Sequence, residues 1–285
     1  MRILFPTDFS DSANNAFIYA LNLARDLRAE VYVLHTYMQP VLSATHVGQP
    51  EIVPEVYENY ELHQFESFKQ HTTFLRTLAE EKKLETVPLT FLFEEGTVVS
   101  SVQEIIRREK IDLVVMGTNR AQGIIEKIFG SNTLGVIRGV KIPVLSVPKE
   151  SAYRRIEEII FTTLFRENDE KALAAILKLV KPFQVNVKCV YVHEEYNPDL
   201  IALSQRWATK FQDDKLEFVF LDFDESIEHT INVYIAQHRV DLLCVVKRNR
   251  NFLERIFTSS ISNRLRVHAS TATIVLQEGD DPGTF

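Results

Sequence analysis

Two cysteines among 285 residues cannot make a disulfide framework. Both lie in apolar, strand-like runs, Cys189 in VNVKCVYV and Cys244 in DLLCVV, which predicts buried free thiols rather than a redox pair. The opening stretch, MRILFPTDFSDS, lacks the basic region and apolar core of a signal peptide. A cytoplasmic protein is the expectation. Positive charge is also short, with 32 Lys and Arg against 39 Asp and Glu, a net charge of −7 and a pI near 5.7. Neutralising nucleic-acid phosphates needs clustered cations, so a nucleic-acid partner is not expected. No apolar run approaches the roughly 20 residues needed to cross a bilayer, and no membrane partner is expected either.

Several catalytic signatures are absent. There is no Gly-x-Gly-x-x-Gly after the first strand and no glycine–lysine phosphate loop. No Gly-x-Ser-x-Gly elbow appears. The stretch PTDFSDS does not supply the acidic pair of a receiver-type phosphoacceptor. The histidines are dispersed; His35 and His193 read as matching ends of a second strand, with structural rather than metal-ligating roles. No catalytic residue and no metal ligand is assigned.

What the chain does have is a repeat of itself. RILFPTDF near the start is echoed by EIIFTTLF, and SSVQEIIRREKIDLVVMG by ESIEHTINVYIAQHRVDLLCVV, with Asp112 matching Asp241. IIEKIFGSNT is echoed by FLERIFTSSI, and IPVLSVP by ATIVLQ. Two copies of one domain are read, at 1–148 and 153–277, followed by a disordered tail at 278–285. Each copy alternates apolar strands with helices, and near-continuous apolar runs such as DLVVM suit parallel strands buried on both faces. The fold class is α/β, with two tandem doubly wound, Rossmann-like parallel sheets. Ligands in such sheets bind outside the carboxyl ends of the strands, where the strand order reverses.

Between its second and third strands the first copy carries a long segment, 38–83. Its back is read as a helix with Tyr57, Tyr60, Phe68, Leu75 and Leu78 on a core or interface face. The second copy has a shorter counterpart around NPDLIALSQRWATKFQ.

Two places could carry a ligand. Asp8 ends the first strand, where a carboxylate either accepts a hydrogen bond from a ligand or caps the first helix, with Ser10 or Asp11 as the alternative cap. Gly117 follows DLVVM, where the backbone either approaches something closely or takes a positive φ. Gly130 and Ser131 lead into NTLGVIRGV, read as a helix whose first N–H groups, with the Ser131 and Thr133 hydroxyls, form a phosphate cradle or simply a cap.

ILFPTDFSDSA, VVMGTNRAQGIIEKIFGSNT and IPVLSVP together resemble the universal stress protein family, and the resemblance covers both copies. It implies a tandem member of that family. ATP-binding members carry glycine, two residues, glycine, nine residues, then glycine followed by Ser or Thr. Here the frame falls on Gly117, Arg120, and Gly130 with Ser131, while Gly123 matches a further glycine of the loop. The resemblance implies that Pro6, Thr7 and Asp8 face adenine and ribose, with Thr36 and Met116 near the base. Gly117, Asn119, Arg120, Gly130, Ser131, Asn132 and Thr133 would then surround ribose and phosphates, with Mg as counter-ion. Arg120 departs from the pattern: its side chain either crowds the phosphate path or pairs with it. In the second copy Leu164 replaces Asp8, Val246 and Lys247 replace the Gly117 region, and Thr258–Ser259 replaces Gly130–Ser131. Its basic cluster, Lys247, Arg248, Arg250 and Arg255, is either an anion site or a solvated loop. The functional expectation is a stress-response sensor or regulator binding ATP or another adenine nucleotide in the first copy, with weak ATP hydrolysis at most. The alternative is a nucleotide-free scaffold acting through segment 38–83. The closing strands are expected to pair as an internal pseudo-dimer, and two chains to associate as a homodimer.

Overall fold

A computed structural model describes residues 1–40, 53–118, 125–193, 199–212, 214–247 and 271–277, with backbone alone at 53–55, 125–130, 228 and 277. In the first half the order is β1 (Arg2–Pro6), α1 (Asp11–Leu27), β2 (Glu30–Tyr37), α2 (Val53–Glu81), β3 (Leu89–Glu95), α3 (Val98–Glu109), β4 (Leu113–Thr118), α4 (Ile125–Gly139) and β5 (Val144–Pro148). The second half continues with β6 (Glu158–Thr162), α5 (Glu167–Val180), a 3-10 turn (Lys181–Phe183), β7 (Asn186–His193), α6 (Asp199–Lys210), β8 (Leu216–Asp222), α7 (Ile227–Gln237), β9 (Leu242–Lys247) and β10 (Ala272–Gln277).

The strands form one ten-stranded sheet in the order β3-β2-β1-β4-β5-β10-β9-β6-β7-β8. Within each half every pairing is parallel, and the halves join where β5 meets β10 antiparallel, with Leu145 opposite Ile274. The architecture is therefore two tandem doubly wound α/β units sharing a sheet. Both faces are covered: Ile3 and Phe5 of β1 point into one core with Phe17 of α1, Leu75 of α2 and Trp207 of α6. Leu4 points into the other core, with Ile105 of α3, Ile137 of α4 and Ile231 of α7. That two-sided burial is why the strands read as unbroken apolar runs rather than alternating ones.

The repeat extends to single hydrogen bonds. Asp112 accepts the N–H of Arg2 at the start of β1 at 2.7 Å, and Asp241 accepts those of Glu157 and Glu158 at the start of β6 at 2.9 and 3.1 Å. Thr7 N–H donates to Leu34 O, and Thr163 N–H donates to Val190 O. Phe9 and Phe165, with φ of 60° and 55°, turn the chain from strand to helix in the left-handed region. Their N–H groups donate to Thr7 Oγ1 and Thr163 Oγ1.

Three expectations need correction or resolution. First, α4 begins at Ile125 and runs through Gly130 and Ser131 rather than starting after them. Helix formers precede Gly130, and a single interior glycine costs only about 1 kcal/mol, so the helix propagates through it. Second, His35 and His193 do not correspond. The register that aligns Leu34 with Val190 matches His35 to Tyr191 and His193 to Tyr37. Third, Ser10 caps α1 by accepting Ala13 N–H, so Asp11 is not the cap. In segment 38–83, Phe68 and Leu75 of α2 are buried, whereas Tyr57 and Tyr60 are half-buried. Both cysteines are free and buried, and burial pushes the Cys189 thiol up to about 12. The tail 278–285 lies outside the described residues.

Candidate functional site

The chain leaves β1 toward β2 and β3 on one side and returns through β4 on the other, so the switch point of the first half lies between β1 and β4. A cleft of about 350 Å³ opens there at the carboxyl ends of the strands, within the range usual for small-molecule sites. Pro6, Thr7 and Asp8 enter it from β1, Thr36 from β2, Met116 and Gly117 from β4, and Ser131, Asn132 and Thr133 from α4. Sequence reasoning did not identify Ser10, Ser12, Ala13, Leu34, His35 or Val98 as lining residues, and all six line the cleft. Ser10 was legible only as a cap, and Leu34 only as a core strand residue. Val98 opens α3 behind the Thr97 cap, a signal that marks a helix start and nothing more.

Met116 and Leu34 give the cleft an apolar wall, and Ser10, Ser131 and Asn132 give it a polar rim. The exposed Asp8 carboxylate accepts Ser10 N–H through Oδ1 at 3.0 Å. It therefore stabilises the turn ahead of α1, while Ser10 does the capping. Oδ2 has no hydrogen-bond partner among the described residues, and Asp8 is one of the residues that line the cleft. Thr7 is already engaged as an acceptor, since its hydroxyl oxygen takes Phe9 N–H and its carbonyl accepts His35 Nδ1–H at 2.9 Å. That bond holds His35 in the Nδ1–H tautomer, with its ring against Phe9 at 4.7 Å.

Gly117 is explained by close approach, since its φ is not positive. A Cβ there would lie 2.9 Å from Ser12 O and 3.1 Å from Ala16 Cβ. The missing side chain lets the first turn of α1 rest on β4 and carry Ser10, Ser12 and Ala13 into the cleft. Gly130 lies within α4. Consequently the N–H groups of Ser131 and Thr133 serve the helix ladder, and the expected cradle at a helix start does not form there. Their hydroxyls and the Asn132 amide remain the polar groups that α4 offers. Asn119 and Arg120 lie outside the described residues.

The corresponding region of the second half is built differently. Register places Leu164 where Asp8 stands and Val246 where Gly117 stands. Asp169, matching Ala13, is buried, and its Oδ2 accepts Thr163 Oγ1–H, Leu164 N–H and Arg166 N–H at 3.1, 2.6 and 3.3 Å. A carboxylate on the helix thus holds a turn that the first half holds with Asp8 and Ser10. Lys247 is not in a solvated loop. It ends β9 half-buried with its Nζ 3.4 Å from Ile137 O of α4. Arg248, Arg250, Arg255, Thr258 and Ser259 lie outside the described residues.

Helix α1 also holds the connector between the halves. Asn15 Nδ2 donates to Ser151 O at 2.9 Å, Tyr153 Oη donates to Asp26 Oδ2 at 2.7 Å, and Tyr19 meets Tyr153 edge-on. Burial, then the hydrogen bond to Asp26, pushes the Tyr153 phenol well above its ordinary value, and burial does the same to Tyr19.

A pair of doubly wound α/β units with a cleft at one switch point is a Rossmann-like architecture, the class of fold in which small ligands bind at that place. The chain belongs to the universal stress protein family, whose model matches residues 1–148. It is 30% identical over 151 residues to a universal stress protein of Methanocaldococcus jannaschii, an alignment covering 52% of this chain and 82% of that one. The fold is shared over 98% of both chains with a universal stress protein from Archaeoglobus fulgidus DSM 4304, at 15% identity and a TM-score of 0.66. A structure from Pseudomonas aeruginosa UCBPP-PA14 overlaps 99% of this chain and 95% of its own, at 12% identity and a TM-score of 0.57. Among the described residues no helix is long and apolar enough to cross a membrane, and no cluster of metal-ligating side chains is present.

Proposed function

We propose that this protein is a stress-response regulator that takes one adenine nucleotide, ATP with Mg as counter-ion, in the cleft of its first half and acts by binding rather than by catalysis. The observation that carries the reading is convergence. Segments that the family resemblance assigns to nucleotide contact, 6–8, 36, 116–117 and 131–133, come from four separate elements and line one cleft. The residues suit the ligand. Leu34, Val98 and Met116 offer an apolar surface to a base, and Asp8 Oδ2 can accept from an exocyclic amine or a ribose hydroxyl. Ser131, Asn132 and Thr133 stand on the side where ribose and phosphates would lie, and Gly130, Asn119 and Arg120 belong to the same assignment.

The second half is read as a partner that keeps the fold without the ligand, a reading supported by Leu164, Asp169 and Val246. The domains are proposed as 1–148 and 153–277, paired as an internal pseudo-dimer, in keeping with the antiparallel contact of β5 and β10. A homodimer of such chains and a cytoplasmic setting belong to the same proposal, the latter in keeping with the free thiols. One observation favours the scaffold alternative: Leu62 and Phe65, one turn apart on α2, are exposed, as is Phe74.

Equilibrium titration of ATP and AMP into the protein and into Asp8→Ala separates these readings. Binding that weakens about tenfold or more in the variant is expected, because a charge-assisted hydrogen bond is lost. Absence of binding at millimolar nucleotide contradicts the sensor reading. Equal binding by Asp8→Ala rejects the role given to Asp8.

A further inference from the structure

Helix α4 supplies three residues of the cleft, and something must fix where they stand. Two close approaches seat it on α3. A Cβ at Gly135 would lie 2.7 Å from Val99 Cγ2, and Gln103 Nε2–H donates to Gly139 O at 2.7 Å. The second grip comes from the other half of the molecule. Lys247, at the carboxyl end of β9, extends its Nζ to 3.4 Å from Ile137 O. Ile137 lies in the last turn of α4, and its carbonyl points along the helix axis toward that end. A cation there also meets the negative end of the helix dipole. Lys247 is half-buried, and burial, then the neighbouring Arg138, holds its pKa below the ordinary lysine value. Thr133 lies four residues back along α4, about 6 Å at the helical rise. It is buried, and with Ser131 and Asn132 it faces the cleft.

We infer that Lys247 is a positioning residue for the first-half cleft, by which the second half holds α4 and sets Ser131, Asn132 and Thr133 for the ligand. This rests on the adenine-nucleotide reading and gives the second half a task in binding. Lys247 stands where the first half has Thr118, so the basic residue is specific to the half that lacks the Asp8 and Gly117 equivalents.

The test is ATP affinity of the full chain carrying Lys247→Met, Lys247→Gln or Lys247→Arg, each with its thermal midpoint. Lys247→Met is expected to weaken ATP about three- to tenfold, the scale of a partly buried helix-terminus cation. Lys247→Arg should remain within twofold of wild type at a matched midpoint, a rescue that general loss of stability does not give. If Lys247→Met fails to fold, Lys247→Gln is read instead and should show a smaller loss of affinity. Wild-type affinity in a folded neutral variant overturns the inference and leaves the nucleotide reading intact. If Lys247→Arg weakens ATP as much as Lys247→Met, the inference is overturned as well. Failure of the wild-type protein itself to bind ATP overturns both.

Discussion

At the scale of single residues, two positions separate the halves. Gly117 makes room for Ser12 O of α1, a backbone atom that cannot swing aside, while the second half has a fully buried Val246 at that point. Gly117→Val should therefore fold, with α1 displaced, at a cost of about 1–3 kcal/mol. ATP binding should be lost, which a melt and a binding titration on the same sample would reveal. Asp169 is the opposite case, a buried carboxylate serving three donors. Asp169→Ala should lower the unfolding free energy by about 2–3 kcal/mol in denaturant titration, without changing ATP affinity. Gly117 was legible in the sequence because a glycine directly after an apolar strand demands a reason. Asp169 was not, because an acidic residue in the first turn of a helix looks like an ordinary dipole or capping choice.

At the scale of elements, α1 joins cleft, connector and second half. Its first turn lines the site, Asn15 and Asp26 hold the connector, and Tyr19, Leu23 and Leu27 pack on Leu179 and Phe183. The connector bond has a pH signature. Tyr153 keeps its proton in the folded chain well above 10.0, its ordinary value, which the unfolded chain recovers. Above that pH the unfolded state binds fewer protons, so stability present below pH 10 is lost as pH rises. Thermal midpoints measured above pH 10 should fall less steeply in Tyr153→Phe than in wild type. Near pH 7 the variant should be weaker by about 1 kcal/mol. The helices and strands were readable because both cores impose continuous apolar patterns. The start of α4 was not, because Gly130 reads locally as a stop while its neighbours carry the helix through it. Strand register was equally hidden, since His35 and His193 look alike in position until the ladder bonds of Thr7 and Thr163 align them.

At the scale of the whole molecule, the repeat predicts two equivalent units, and the sheet shows them joined through their closing strands, which covers two edges that would otherwise be open. Equivalence of fold has not meant equivalence of site. The first half carries the open cleft, and the second carries Leu164, Asp169 and Val246 in the corresponding places. Why one half differs was only partly visible in the sequence: lost glycines and the lost aspartate are single-letter changes, whereas Lys247 reaching α4 is a contact between distant segments. The account's central claim is that the chain binds one adenine nucleotide, in the first half. Calorimetric titration of ATP into the full chain, beside Gly117→Val, measures it directly. The account predicts one equivalent per chain for wild type and none for the variant; two equivalents, none at millimolar ATP, or an undiminished equivalent in Gly117→Val would contradict it.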